Sequence, residues 1–200
     1  MKKKKILIII LITMIVFLIS DKIKDKEIYY VNINENYLKE IGNNYHNELI
    51  DYYKKNKILE EVVEFGYENS RIVEILNAIN NNDYIYIKNK KHTIQNALIK
   101  ADLLILEIGK NDLDYSLEKK NKEDIYNYLD TLLQDTETLL KTIRKYTKEK
   151  IILLEFKSEN EYIDYFYKKL EKICTNNKID YINADKNIKE QVLLKFDFLK

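Results

Sequence analysis

Short apolar runs alternate with longer stretches in which apolar residues return every three or four positions, and the alternation recurs five times between Ile28 and Ile182. Ile28 to Ile33, Leu59 to Phe65, Leu103 to Ile108, Ile151 to Phe156 and Ile179 to Ile182 read as strands. Helical spacing links Tyr45, Leu49, Ile50 and Tyr53, then Ile72, Ile75, Leu76 and Ile79, with Asn69 or Ser70 placed to cap the second helix. Tyr84 to Lys88, a polar turn at Asn89 to Lys91, and Thr93 predict a small extended excursion leading into a short helix. Ile125, Leu129, Leu132, Leu133, Thr136, Leu139, Leu140 and Ile143 keep helical period over nearly three heptads, and Ile163, Phe166, Tyr167, Leu170 and Ile173 mark one more helix. Strands that are apolar almost throughout, separated by amphipathic helices, belong to a parallel sheet covered on both faces. The expected fold is a three-layer, doubly wound α/β domain.

The amino terminus follows another pattern. Lys2 to Lys5 precede an apolar run from Ile6 to Ile19, broken only by Thr13, after which Asp21, Lys22 and Lys24 return the chain to water. A basic cluster before a short apolar segment is the build of a secretory signal or signal-anchor. The positive-inside rule keeps the lysines cytoplasmic and exports the remainder. Leu18 stands where a small residue would precede a cleavage site, which favours an uncleaved anchor over secretion after cleavage. The expectation is a single-pass protein of the cytoplasmic membrane with its carboxyl-terminal domain outside.

Composition narrows the partners. Lys+Arg 34 against Asp+Glu 33 gives a net charge of +1 with the signs interspersed, so no basic stripe exists to track a phosphate backbone and no nucleic-acid partner is expected. The 46% hydrophobic content argues against disorder. The single cysteine, Cys174, shares helical spacing with Leu170 and Ile173 and reads as a buried thiol. Tyr29, Tyr30, Tyr162, Tyr165 and Tyr167, among 17 tyrosines, fall on strand and helix patterns rather than on a platform for sugars.

Ligands of such folds sit beyond the carboxyl ends of the strands, at the switch point of the sheet. Two loops qualify: Asn34-Glu35-Asn36 and Gly109-Lys110-Asn111-Asp112. The stretch Thr93 to Leu113, ending in Gly-Lys-Asn-Asp, resembles the third block of the SGNH (GDSL-type) hydrolases and its lead-in. The resemblance covers Glu27 to about Ala184. It implies a flavodoxin-like sheet, a cleft for ester substrates and an oxyanion-hole role at Asn111. It divides the chain into a signal-anchor with linker, 1–25, and an SGNH hydrolase-like domain, 26–200.

The departures from that family bear on function. The family's first block carries a serine nucleophile, and here Asn34, Glu35 and Asn36 occupy it. Asn69 stands where the second block has glycine, and asparagine tolerates the positive φ such a turn needs. The last block, Asp-x-x-His, has no counterpart histidine, since none follows the final strand. His46, on the first helix, is expected to be solvated or packed against its neighbours; His92 sits in a basic turn. Ser70 reads as a cap, and Glu35 and Asp112 as solvated loop acids without a metal-ligand set around them. No metal or cofactor is expected. The leading reading is a catalytically degenerate SGNH-like protein that binds an acylated lipid, a glycan or a protein partner. The alternatives are an esterase with a non-standard nucleophile or a completing chain, and a structural envelope protein with a vestigial cleft.

Overall fold

A computed structural model describes residues 27–35, 37–40, 42–119, 121–156, 160–184 and 187–196. The N-terminal apolar run and Asn36 lie outside these residues. Among the described residues no helix is long and apolar enough to cross a membrane.

Five parallel strands form the central sheet: β1 (Ile28–Asn34), β2 (Leu59–Gly66), β5 (Leu103–Glu107), β6 (Lys150–Glu155) and β7 (Asp180–Asn183), in the order β2-β1-β5-β6-β7. Strands β3 (Tyr84–Ile87) and β4 (Lys90–Thr93) pair separately as an antiparallel hairpin whose turn places Lys88 and Asn89 at positive φ. This is the expected excursion, and the turn falls one residue earlier than the sequence suggests. The helices are α1 (Tyr37–Glu40), α2 (Tyr45–Lys55), α3 (Ile72–Asn81), α4 (Ile94–Lys100), α5 (Lys110–Lys119), α6 (Lys122–Tyr146), α7 (Glu161–Asn176) and α8 (Ile188–Lys195).

Strand periodicity assigns the two faces of the sheet. Tyr30 on β1 reaches His46 on α2, whereas Tyr29 next to it meets His92 on β4 and lies beneath Lys100 of α4. Helix α2 packs with α8, while α3, α4, α5 and α7 all pack on the long helix α6. The three layers therefore follow the expected doubly wound plan. Cover on both faces explains why every residue of β1 and β5 is buried, and why their sequences are apolar almost throughout. Cys174 is a buried, free thiol whose pKa is pushed up to about 12 by burial, with Glu171 adding to the rise.

One local expectation is corrected. The residue capping α3 is Arg71, not Asn69 or Ser70, because Asn69 and Ser70 are used in the preceding turn and the Glu74 carboxylate accepts the Arg71 N–H. Helix α8 is not announced by a long apolar stripe; Ile188 and Val192, one turn apart, are its buried anchors.

Candidate functional site

Because β1 and β5 are parallel neighbours in register, with Asn34 opposite Glu107, the loops that leave them emerge side by side at the carboxyl end of the sheet. The expected juxtaposition of the Asn34 and Gly109 loops is therefore present. It is held by Glu35. Its backbone N–H donates to the Glu107 carbonyl at 3.0 Å. Its carboxyl oxygens accept from the backbone N–H groups of Gly109 at 2.5 Å and Asn111 at 2.9 Å. Gly109 turns at φ +96°, a conformation that a side chain would strain.

Glu35 is 3% exposed and Asp112 4%, so neither is the solvated loop acid the sequence suggests. Both are drawn inward by backbone donors that would otherwise be orphaned. Asp112 accepts from the Ile72 N–H at 2.7 Å, capping α3 from another part of the chain, and from the Tyr128 hydroxyl at 3.1 Å. Burial pushes the Glu35 carboxyl up to about 8 against the opposing pull of its two N–H donors, with Asp112 and Glu107 adding to the rise. Burial likewise raises Asp112, opposed by the Ile72 N–H and Tyr128.

Above these acids lies an open depression of about 530 Å³ lined by Asn69, Arg71, Asn111, Asp114, Tyr115 and Glu118. Asn69 adopts φ +60°, the left-handed turn that the sequence allows for. The Asn111 side chain donates to the Ser70 carbonyl at 2.9 Å, which ties the second and third loops together. A primary amide carries two hydrogens, so Asn111 retains one donor for a ligand. The Arg71 guanidinium stands 5.2 Å from the Tyr115 ring centroid, a pairing that offers a flat, partly apolar wall with a charged edge. Among the described residues lining this depression there is neither a serine nor a histidine. The arrangement can hold a polar ligand by its carbonyl or hydroxyl groups. It brings Asn69, Gly109, Asn111, Asp112 and Glu35 together, and turns Asn34 away.

Asn34 points to the opposite face, where its amide donates to Glu64 at 2.9 Å. It borders a second, smaller and partly open cavity of about 80 Å³ beside α2, also lined by Asn32, Tyr45, His46, Glu64 and Glu107. Tyr30 and Asn32 both meet His46 Nδ1, at 2.9 and 3.1 Å, while Nε2 faces Glu64 at 3.5 Å. His46 is thus packed within a polar cluster, and burial lowers its pKa despite the opposing pull of Glu64. Glu107 accepts from the Leu38 N–H at 2.8 Å and from the Tyr45 hydroxyl at 3.3 Å. This cluster is absent from the sequence reading, although Asn32 and Glu107 interrupt strands that are otherwise apolar, and a polar group in such a place requires partners. His92 is not in a basic turn. It is buried on β4, 3.4 Å from the Tyr29 hydroxyl and 3.7 Å from Glu61. Among the described residues no cluster of histidine, cysteine and acid side chains is arranged to hold a metal ion.

No protein-family model matches the chain, and no curated protein matches it. Solved structures do. An acetyl xylan esterase, AlAXEase, superposes with a TM-score of 0.57 at 14% identity, over 82% of this chain and 80% of its own. The acetylxylan esterase of Geobacillus stearothermophilus gives 0.59 at 14% identity, over 85% of this chain and 82% of its own. Catalytic mutants of the second enzyme carry alanine in place of a serine, a histidine and an aspartate. Likeness at this identity concerns the fold, and on that level the chain is an α/β protein built as these esterases, members of the SGNH-hydrolase fold, are built.

Proposed function

We propose that the protein is a membrane-tethered, extracytoplasmic relative of the SGNH esterases that binds an acylated glycan or lipid in the depression over Asn69 and Asn111, without ordinary ester hydrolysis. The observation that carries this reading is the use already made of the loop donors. Glu35 takes the backbone N–H groups of Gly109 and Asn111, and the Ser70 carbonyl takes one hydrogen of the Asn111 amide. A carbonyl bound there would meet Asn111, Arg71 and Tyr115 rather than an activated hydroxyl and its base, which acyl transfer requires.

The end of the chain supports the same reading. Asp185 follows β7 by two residues, and three positions beyond it comes Ile188, buried at the start of α8. An Asp-x-x-His block at this place would need histidine where that isoleucine packs. The spacing was legible in the sequence and is the signal that a search for histidine alone passes over. Cell-membrane attachment rests on the run from Ile6 to Ile19 and its flanking lysines.

A second reading, an esterase with a non-standard base, draws on His46 and Glu64, which lie 3.5 Å apart beneath the loop after β1. One experiment separates the two. The purified full-length protein in detergent is titrated with acetylated xylo-oligosaccharides and assayed with p-nitrophenyl acetate and a fluorophosphonate probe. Saturable binding that weakens about tenfold or more in Arg71→Ala, with ester turnover at the buffer rate and no serine labelled, is expected. Turnover that disappears in His46→Ala would instead establish the second reading. Installing Asn36→Ser with Ile188→His is expected to give little activity, because Glu35 continues to hold the loop donors.

A further inference from the structure

Parallel strands joined by helical crossovers put the strand starts and the ends of the crossover helices at one pole of the domain, and the strand ends at the other. The charges follow this division. The last turns carry Lys54 and Lys55 on α2, Lys100 on α4, Arg144 and Lys145 on α6, and Lys195 on α8. The first turns carry Glu48, Glu74, Asp112, Glu161 with Asp164, and Glu190. Each set complements its helix dipole, and the parallel topology adds the local preferences into one polarity across a molecule whose net charge is only +1.

At the strand-start pole an open depression of about 820 Å³ is bordered by five basic residues, Arg144, Lys148, Lys150, Lys178 and Lys195, and one acid, Glu149. Asp180 pairs with Lys150 and, at 3.7 Å, with Lys195. Arg144 spends its hydrogen bonds on the carbonyls of Asn177, Glu149 and Lys178, which are neutral acceptors, with Asp180 as a nearby opposite charge. Lys57, before β2 at the far edge of the sheet, is a further exposed cation of the same pole. The hairpin that leaves α3 at the same pole exposes Tyr84 by 54% and Tyr86 by 66%, rings edge to face at 5.7 Å, with Lys91 4.0 Å from the Tyr84 ring centroid. Exposed phenols beside lysines suit the headgroup layer of a bilayer. Glu27, the first described residue, enters β1 at this pole, and the basic and apolar run of residues 2–19 precedes it in the sequence by seven residues, 20–26.

We infer that the strand-start pole is a docking face for an anionic phospholipid surface, held by electrostatic attraction, with the Asn69 and Asn111 depression facing away from the bilayer. The inference deepens the tethered reading and rests on it for the supply of the membrane. Lysines near an anionic surface gain attraction that falls off within a Debye length, so the contact should be salt-sensitive.

The test reconstitutes the full chain in vesicles of phosphatidylcholine alone or with phosphatidylglycerol, and maps lysine acylation by a membrane-impermeant reagent. Flotation with phosphatidylcholine vesicles reads the tether. Protection read as the difference between the two lipids reports on the face, so the two ideas fail separately. Lys148, Lys178 and Lys195 are expected to label at least threefold less in the phosphatidylglycerol vesicles, with Lys110 at the opposite pole unchanged and the contrast erased by 0.5 M salt, on the order of a 4 Å Debye length. Lys148→Glu with Lys178→Glu should return Lys195 labelling to the phosphatidylcholine level. Equal labelling in the two lipids overturns the inference, whether or not the protein floats. Protection by soluble polyphosphate as strong as that by the anionic vesicle also overturns it, assigning the face to a soluble polyanion.

Discussion

Glu35 sits one residue before Asn36 and decides what the depression can do. A carboxyl that accepts two backbone N–H groups is normally held ionised, yet burial dominates here and carries its pKa to about 8. The consequence for stability has a definite sign. A group whose folded pKa lies above its unfolded value adds stability that is complete below the unfolded value, near 4.5, and is lost as pH rises through the folded value. The melting temperature should therefore fall between about pH 5 and pH 8.5 as Glu35 ionises in its closed site. Glu35→Gln, which stays neutral, should flatten that fall. Thermal melts of both proteins across this range check it, and parallel pH profiles would refute the assignment. Sequence alone places Glu35 in the correct loop but leaves it solvated, because burial at this position comes from Gly109 and Asn111, 74 and 76 residues away along the chain.

At the scale of elements, helices and strands were legible wherever their own period sufficed: β5 from its unbroken apolar run, α6 from a stripe kept over nearly three heptads. What the period could not supply was capping from a distance. Helix α3 begins at Arg71, and its first donor, the Ile72 N–H, is satisfied by Asp112 from the start of α5. Asp112 is thus a strut between two elements rather than a free acid. Asp112→Ala leaves that buried N–H and the Tyr128 hydroxyl without their acceptor, at a cost of about 1–3 kcal/mol. For a domain of this size that is a drop in melting temperature of roughly 2–12 °C. Asp112→Asn should recover part of the loss. A melting temperature unchanged in the alanine variant would remove Asp112 from this role. Helix α8 escaped the sequence for a simpler reason: eight residues with two buried positions are too short to show a period.

At the scale of the whole molecule, the order β2-β1-β5-β6-β7 is what the alternating pattern allows, and the loops after β1 and β5 meet because those strands are neighbours. The proposed membrane topology is a separate matter, and it rests on the sequence of residues 2–24. Trypsin added to intact spheroplasts is expected to digest the chain after Asp21 while sparing cytoplasmic markers, and complete protection would end the exported reading. The position of β1 has one more effect. The same strand is the first described element after the N-terminal apolar run and ends at the Glu35 loop that supports the proposed ligand depression, with β2 and β5 bonded along its two edges. Under the tethered reading, tension between a bound ligand and the bilayer would enter through the loops after β2 and β5 and leave through the start of β1. It would load both ladders of hydrogen bonds in shear, so that many must give way together rather than peel apart singly. A domain tethered as proposed would resist being pulled open along that direction.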